Sequence, residues 1–312
     1  MMVPVVSVII PSRNRPESLG RCLDALAAQA MPVGSFEVIV VDDGSSPPLT
    51  IDASRTAATH ECVLIRQRNT GPAGARQRGV AAATGEFLAF TDDDCLPDPL
   101  WLPWLVHALR ERPDALVGGF TFNGLAGDVC AETSQLVLEM AYEHFNRDAD
   151  NAYFFASNNM AVRRDRYLAS GGFDADFDAP AAEDREFCDR WRTQGRPLLW
   201  ERRAVVEHRH RQTLGGFLRL HWRYGQGAYR YHASRSRRAS GTMREDLSFH
   251  AALPALMCRK IARCRPVRGS RIVLLLMVWQ LANAAGFAHA WLSDAWATIH
   301  GPRGSIRQRP RS

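Results

Sequence analysis

Three short apolar runs in the first hundred residues each end abruptly in a polar cluster. That pattern limits the possible folds more than any other feature of the chain. Val5 to Ile10 is a continuous β-branched run ending at Pro11-Ser12-Arg13-Asn14. Phe36 to Val41 closes on Asp42-Asp43-Gly44-Ser45-Ser46, and Glu86 to Phe90 on Thr91-Asp92-Asp93-Asp94-Cys95. Unbroken apolar runs of this length read as strands buried on both faces. Cys62 to Ile65 and Leu116 to Gly118 read as further strands. Between them, Arg15 to Gln29 carries Leu19, Cys22, Leu23 and Leu26 at helical spacing, Gly71 to Ala83 is an Ala-rich helix stopped by Thr84-Gly85, and Pro99 to Arg110 is another helix. Strands alternating with such helices predict an α/β fold with a mostly parallel sheet. Ligands bind such sheets beyond the carboxyl ends of the strands, where all three polar clusters fall. One shared site is therefore expected.

Farther along, Glu132 to Asn146 reads as a helix and Ala152 to Val162 as an extended segment. Ser170-Gly171-Gly172-Phe173-Asp174 is a glycine turn, and Asp184 to Thr193 is a helix. Ala204-Val205-Val206 is a short apolar stretch before His208-Arg209-His210. After about Thr213 the strand signals stop and the composition turns helical, basic and aromatic. The chain thus divides into residues 1–212 and a helical extension, 213–312.

Three adjacent acids repel one another, so a fold that gathers them has a cation to hold. Oxygen ligands at a strand end suit Mg²⁺ or Mn²⁺; a solvated acidic turn is the bland alternative. Asp94, with Asp92 and Asp93 beside it, would place a metal against a diphosphate. Asp43 could hydrogen-bond a base or sugar edge. Arg13 and Arg76 could contact phosphate or base, or be ordinary surface arginines. Glu183-Asp184 opens a helix, as an N-cap would, or as a general base would for an acceptor hydroxyl. His208 and His210, two apart on a strand, face the same way and could complete a metal shell, flank phosphate, or be ordinary polar histidines.

Val6-Ser7-Val8-Ile9-Ile10-Pro11-Ser12-Arg13-Asn14, Val40-Val41-Asp42-Asp43-Gly44-Ser45, Thr91-Asp92-Asp93-Asp94, Gly171-Gly172-Phe173-Asp174 and Glu183-Asp184 follow one another in an order and spacing that resembles family 2 glycosyltransferases. The resemblance covers roughly residues 5–212. It implies a GT-A fold (Rossmann-like, a mostly parallel sheet flanked by helices), a nucleotide-diphospho-sugar donor, a divalent metal and inversion at the anomeric carbon. By motif position, Pro11, Arg13, Asp43, Arg76, Asp92 and Asp93 would line the donor site, with Asp43 on the nucleobase and Asp92 near the ribose. Asp94 would bind Mn²⁺ or Mg²⁺, with His208 or His210 near the metal or diphosphate. Asp184 would be the catalytic base with Glu183 beside it, and the Gly171-Gly172-Phe173-Asp174 loop would border the acceptor. Processive members carry Gln-x-x-Arg-Trp after the base. Here Arg219-Leu220-His221-Trp222-Arg223-Tyr224 stands instead, which favours addition of one sugar or a few. Surface polysaccharide or lipid-linked glycan synthesis is the role this implies. A nucleotidyltransferase with an acidic metal site and a binding-only homologue are the competing readings.

The net charge is +6, almost all of it arginine, and the excess sits late in the chain. A basic nucleic-acid-binding protein is disfavoured because the best-organised half holds the acidic cluster. Seven scattered cysteines form no C-x-x-C pair, which fits a reducing cytosol, and no leader-like segment opens the chain. Ile272 to Ser293 contains no Asp, Glu, Lys or Arg, yet basic residues flank both ends. A single span would send one basic flank outward, so an interfacial or packed helix fits better. The expected location is the cytoplasm or the inner face of the cell membrane.

Overall fold

The computed structural model describes residues 4–52, 60–174, 181–262 and 265–300. The apolar runs form strands β1 (Val6–Ser12), β2 (Phe36–Asp43), β3 (Glu61–Gln67) and β4 (Phe87–Thr91). These four are parallel, with β1 between β2 and β4. Successive residues turn to opposite faces, and both faces are covered. Val8, Ile10, Val38 and Val40 pack under helices α1 (Pro16–Ala27) and α3 (Trp101–Glu111). Ile9, Ile39, Val41 and Phe90 pack under α2 (Gly71–Ala82) and the later helices.

The second half of the sheet is mixed. It contains β5 (Cys95–Pro97), β6 (Leu116–Asn123), β7 (Asn159–Arg163) and β8 (Leu198–His208), in the order β3-β2-β1-β4-β7-β6-β8-β5. β7 runs antiparallel to both β4 and β6. It is also shorter than the extended segment expected from Ala152, because side chains capture the preceding backbone. Asn146 Oδ1 accepts from Tyr153 N and Phe154 N, and Tyr142 Oη accepts from Ala156 N. Those amides have no need of a neighbouring strand.

Helices α4 (Val129–Phe145), α5 (Arg164–Ala169) and α6 (Glu183–Thr193) complete the first part. The extension forms α7 (Leu214–Arg238), α8 (Arg244–Ile261) and α9 (Pro266–His300). It shares one apolar core with the sheet: Phe217, Phe249, Leu253, Ile272 and Trp279 join the cluster that holds Ile9 and Phe90. The aromatic residues of α7 divide. Phe217 and Tyr231 are buried in the core, and Trp222 and Tyr224 are exposed. α7 and α9 approach closely through Gly225 and Gly286; a Cβ on either would stand 2.0 Å from a backbone oxygen of the other helix. By length and composition α9 could cross a membrane. Of its basic flanks, Arg263 and Arg303, Arg307, Arg309 and Arg311 lie outside the described residues.

Candidate active site

Because β2, β1 and β4 are parallel neighbours, their carboxyl ends open onto one cleft of about 1200 Å³. Pro11, Arg13, Asp43, Arg76, Asp92, Asp93, Asp94, Glu183, Asp184, His208 and His210 all line it. Asp42, on the opposite pleat from Asp43, instead accepts from Ser45 N and Leu49 N and closes its own loop. Asp43 Oδ1 accepts from Thr70 N and Gln67 Nε2, and its Oδ2 from Gly71 N at 2.9 Å. It ties β2 to the start of α2. A carboxylate has about four acceptor positions, so one remains for a ligand.

The three acids at the end of β4 point in different directions. Asp93 is buried and accepts from Ser12 Oγ at 2.6 Å, which locks β1 to β4. Burial, with Asp94 alongside, pushes its carboxyl up to about 7 against the pull of Arg15. Asp94 lies beside His208 Nε2 at 3.3 Å and His210 Nδ1 at 2.8 Å. Burial alone would raise its pKa, but the hydrogen bonds from both histidines outweigh that and hold it well below the ordinary range. The two imidazoles stack with centroids 5.7 Å apart. Both histidines stand beside Asp94, because β8 delivers His208 opposite Cys95 and Arg209 N bonds the Asp94 carbonyl at 2.8 Å just before His210.

Arg15 was missed. Its Nη1 stands 2.5 Å from Asp94 and 3.1 Å from Asp93, whereas Arg13 is exposed with no side-chain partner among the described residues. Pro16 was the available signal: Pro at the first helical position puts the preceding residue at the helix mouth, beyond the end of β1.

Arg76 is almost fully buried, so it is no surface arginine. Its Nη2 bonds Asp92 at 2.7 Å and its Nη1 bonds Glu183 at 3.1 Å. One guanidinium thus joins the acids of β4 to those opening α6. Phe173 lies beneath it, with Arg76 Cζ 5.7 Å from the ring centroid. Gly171 and Gly172 take positive φ, 86° and 66°, but neither they nor Phe173 and Asp174 are among the cleft-lining residues. Phe173 faces the core against Phe90, Tyr167 and Phe187, so the turn expected at the acceptor border supports the floor under Arg76.

Glu183 and Asp184 follow Ala182, which adopts φ 68°, a left-handed conformation that costs a non-glycine residue about 1 kcal/mol or more. Gly227 of α7 holds this turn from outside: a Cβ there would meet Ala181 Cβ at 2.4 Å. Asp184 is half-buried and accepts from Arg185 N at 2.8 Å and Ser157 N at 3.3 Å. Burial, joined by their mutual repulsion at Glu183, raises both carboxyls above the ordinary range despite Arg76. Glu183 is bound to Arg76, which leaves Asp184 the freer of the pair. Near it, Asn158 lines the cleft and has a buried side-chain oxygen with no partner among the described residues. Nothing in the sequence pointed to it.

Replacing Arg76 by Met is expected to destabilise the fold by about 3–5 kcal/mol, since it leaves Asp92 and the buried Glu183 uncompensated. A urea midpoint within a few tenths molar of the parent would show that the bridge carries little.

The family model described as glycosyl transferase family 2 matches residues 7–170, which is more than half of the chain. The chain belongs to glycosyl transferase family 2. Glycosyltransferase AglE of Haloferax volcanii is 37% identical over 128 residues, 39% of this chain and 42% of that protein. Pre-mycofactocin glycosyltransferase of Mycobacterium tuberculosis is 30% identical over 228 residues, 72% of this chain and 46% of that protein. The chain thus spans less than half the length of these two family members. Among solved structures, a mannosyltransferase from Pyrobaculum calidifontis, in complex with GDP-Man and Mn²⁺, superimposes with a TM-score of 0.62 at 19% identity, over 95% of this chain and 88% of that one. Likeness at that identity shows the fold, which is GT-A. The family 2 match includes Asp43, Arg76 and Asp92–Asp94 and stops before Glu183, Asp184, His208 and His210.

Proposed function

We propose that this family 2 chain is a metal-dependent, inverting glycosyltransferase that moves a sugar from a nucleotide-diphospho-sugar to an acceptor hydroxyl. The observation that carries the reading is the Arg76 bridge between Asp92 and Glu183, which sets a donor-type acid cluster and a base pair in one cleft. The donor set at the cluster fits a hard divalent cation such as Mn²⁺ or Mg²⁺: it offers a buried carboxylate, Asp94, and two imidazoles. The adjacent Cys95 thiol is pushed far up by burial and is a poor thiolate donor. Asp94 with His208 or His210 would hold the ion, which when bound acts as a Lewis acid on the diphosphate. The solved mannosyltransferase complex with GDP-Man and Mn²⁺ supports this assignment.

Asp184 takes the acceptor proton on Oδ while the acceptor oxygen bonds the anomeric carbon and the bond to the diphosphate breaks. Backbone amides of Ser157 and Arg185 fix its orientation. Burial, with mutual repulsion at Glu183, makes the base pair keep a proton to higher pH than isolated carboxylates do, and the Arg76 charge offsets this only in part. Asp43 contacts the nucleobase, Pro11 and Arg13 lie along the nucleotide, and Asn158 accepts from a sugar or acceptor hydroxyl.

The acceptor is a glycan or a lipid-linked glycan, and the location is the cytoplasmic face of a membrane. Leu274, Met277, Leu281, Leu292 and Trp296 are all more than half exposed on α9, opposite the buried Ile272, Leu276, Trp279 and Gly286. Asp294, the one acid in α9, accepts from Tyr229 Oη. With its inner face packed on α7, α9 rests on the bilayer and does not span it.

Melting temperature against a nucleotide panel, with and without Mn²⁺, tests the donor site. A metal-dependent rise with one family of nucleoside diphosphates is expected, because a ligand of the folded state stabilises it. No rise with any of them would remove the donor reading. The pH dependence follows from the sign of the base shift. A raised carboxyl is protonated and inactive at low pH, so kcat/KM should climb tenfold per unit from the ordinary carboxylate range towards neutrality and then level. A profile flat from pH 5 to 8 would exclude the Glu183–Asp184 pair as the base.

A further inference from the structure

The cleft extends well beyond the acid cluster. Single-ligand pockets hold about 300–1000 Å³, and this one, at about 1200 Å³, continues between α4, α7, α8 and α9. Its far end is walled by Phe145, Leu247, Phe249, Trp279 and Phe287. Three arginines in the cleft are neutralised by carboxylates: Arg15 by Asp93 and Asp94, Arg76 by Asp92 and Glu183, and Arg185 by Asp246. Arg219 and Arg223 are not. Both line the cleft and are exposed, with no acidic partner among the described residues. They stand one turn apart on α7, so they share a face. Gly227, which touches the turn bearing Asp184, is one further turn along, about 6 Å.

Two adjacent guanidiniums without carboxylates, between a catalytic base and an apolar wall, have the chemistry of a phosphate subsite. We infer that the acceptor is an anionic amphiphile: Arg219 and Arg223 bind a phosphate group of the acceptor, and the wall formed by Leu247, Phe249, Trp279 and Phe287 holds its alkyl or isoprenoid chain. This rests on the transferase reading above and names the acceptor class for the same cleft. The donor diphosphate is assigned to the acid–histidine cluster at the other end. The outward face of α9 adjoins this wall, because Gln280 and Ala284 line the cleft while Leu281 between them is exposed. A lipid tail leaving the cleft therefore meets the apolar surface proposed to rest on the bilayer.

The test is calorimetric titration of the whole chain with dodecyl phosphate, dodecyl β-glucoside and inorganic phosphate, each below its micelle concentration. Dodecyl phosphate is expected to bind at least tenfold more tightly than either of the others. The double variant Arg219→Gln/Arg223→Gln should lose at least tenfold of that affinity, and Leu247→Asn should weaken dodecyl phosphate severalfold without changing inorganic phosphate. Both sites are exposed, so the parent melting temperature should be kept. Equal affinity for the phosphate and the glucoside would overturn the proposal. So would loss of the Mn²⁺–nucleoside diphosphate stabilisation in the double variant with dodecyl phosphate binding unchanged, since the arginines would then serve the donor. Arginine-dependent dodecyl phosphate binding in a protein that responds to no nucleotide would support the subsite and count against the transferase reading.

Discussion

Asp184→Asn is expected to lower kcat for sugar transfer by about a thousandfold, within the range contributed by a positioned general base. The amide keeps the size of the carboxylate but cannot take a proton, and its one oxygen can replace only one of the two acceptors, Oδ1 for Arg185 N or Oδ2 for Ser157 N. Donor affinity should change by less than threefold, because Asp184 lies across Arg76 and Glu183 from the acid cluster. Glu183→Gln should behave differently. It weakens the bond to Arg76 and relieves repulsion on Asp184, so the rising limb of the pH profile should move to lower pH. Were Glu183→Gln the inactive variant and Asp184→Asn the active one, the two roles would be exchanged.

Asp94→Asn should abolish the Mn²⁺-dependent rise in melting temperature with nucleoside diphosphates and reduce transfer by about a thousandfold or more, the scale of several kcal/mol of lost charge stabilisation. The substitution removes the anionic acceptor shared by His208, His210 and Arg15. Single His208→Ala and His210→Ala variants should each weaken the response less, because the other imidazole remains. Full retention of metal-dependent nucleotide binding in Asp94→Asn would place the ion elsewhere.

Local chemistry made half of this site legible in the chain. Apolar runs that stop at Pro11, Asp42 and Asp92 define strand ends, and neighbouring parallel strands bring their ends together. The period of two also suggested that His208 and His210 face one way, and both stand beside Asp94, although β8 ends at His208. What stayed hidden depends on long-range partners. Arg76 sits in an Ala-rich helix with little periodic contrast, and only the arrival of Glu183, 107 positions later, explains its burial. Arg13 and Arg15 are indistinguishable as residue types; the turn at Asn14, with φ 57°, decides which of them reaches the acids. Gly171-Gly172-Phe173 reads equally well as a cleft border and as a core plug until Tyr167 and Phe187 are seen around the ring. The segment before β7 reads as strand from its composition but is not one, because Tyr142 of α4 and Asn146 just after it satisfy its amides.

The most direct test of the central claim is ³¹P NMR of the purified chain with Mn²⁺, an acceptor and the nucleotide-sugar whose nucleotide gives the largest melting shift. The account predicts stoichiometric release of nucleoside diphosphate, lost in Asp184→Asn and Asp94→Asn. Release of sugar 1-phosphate, from cleavage between the two phosphates of the donor, would identify a nucleotidyltransferase. An unchanged donor beside the same nucleotide-dependent melting shift would identify a protein that binds without transfer, and either result would contradict the account.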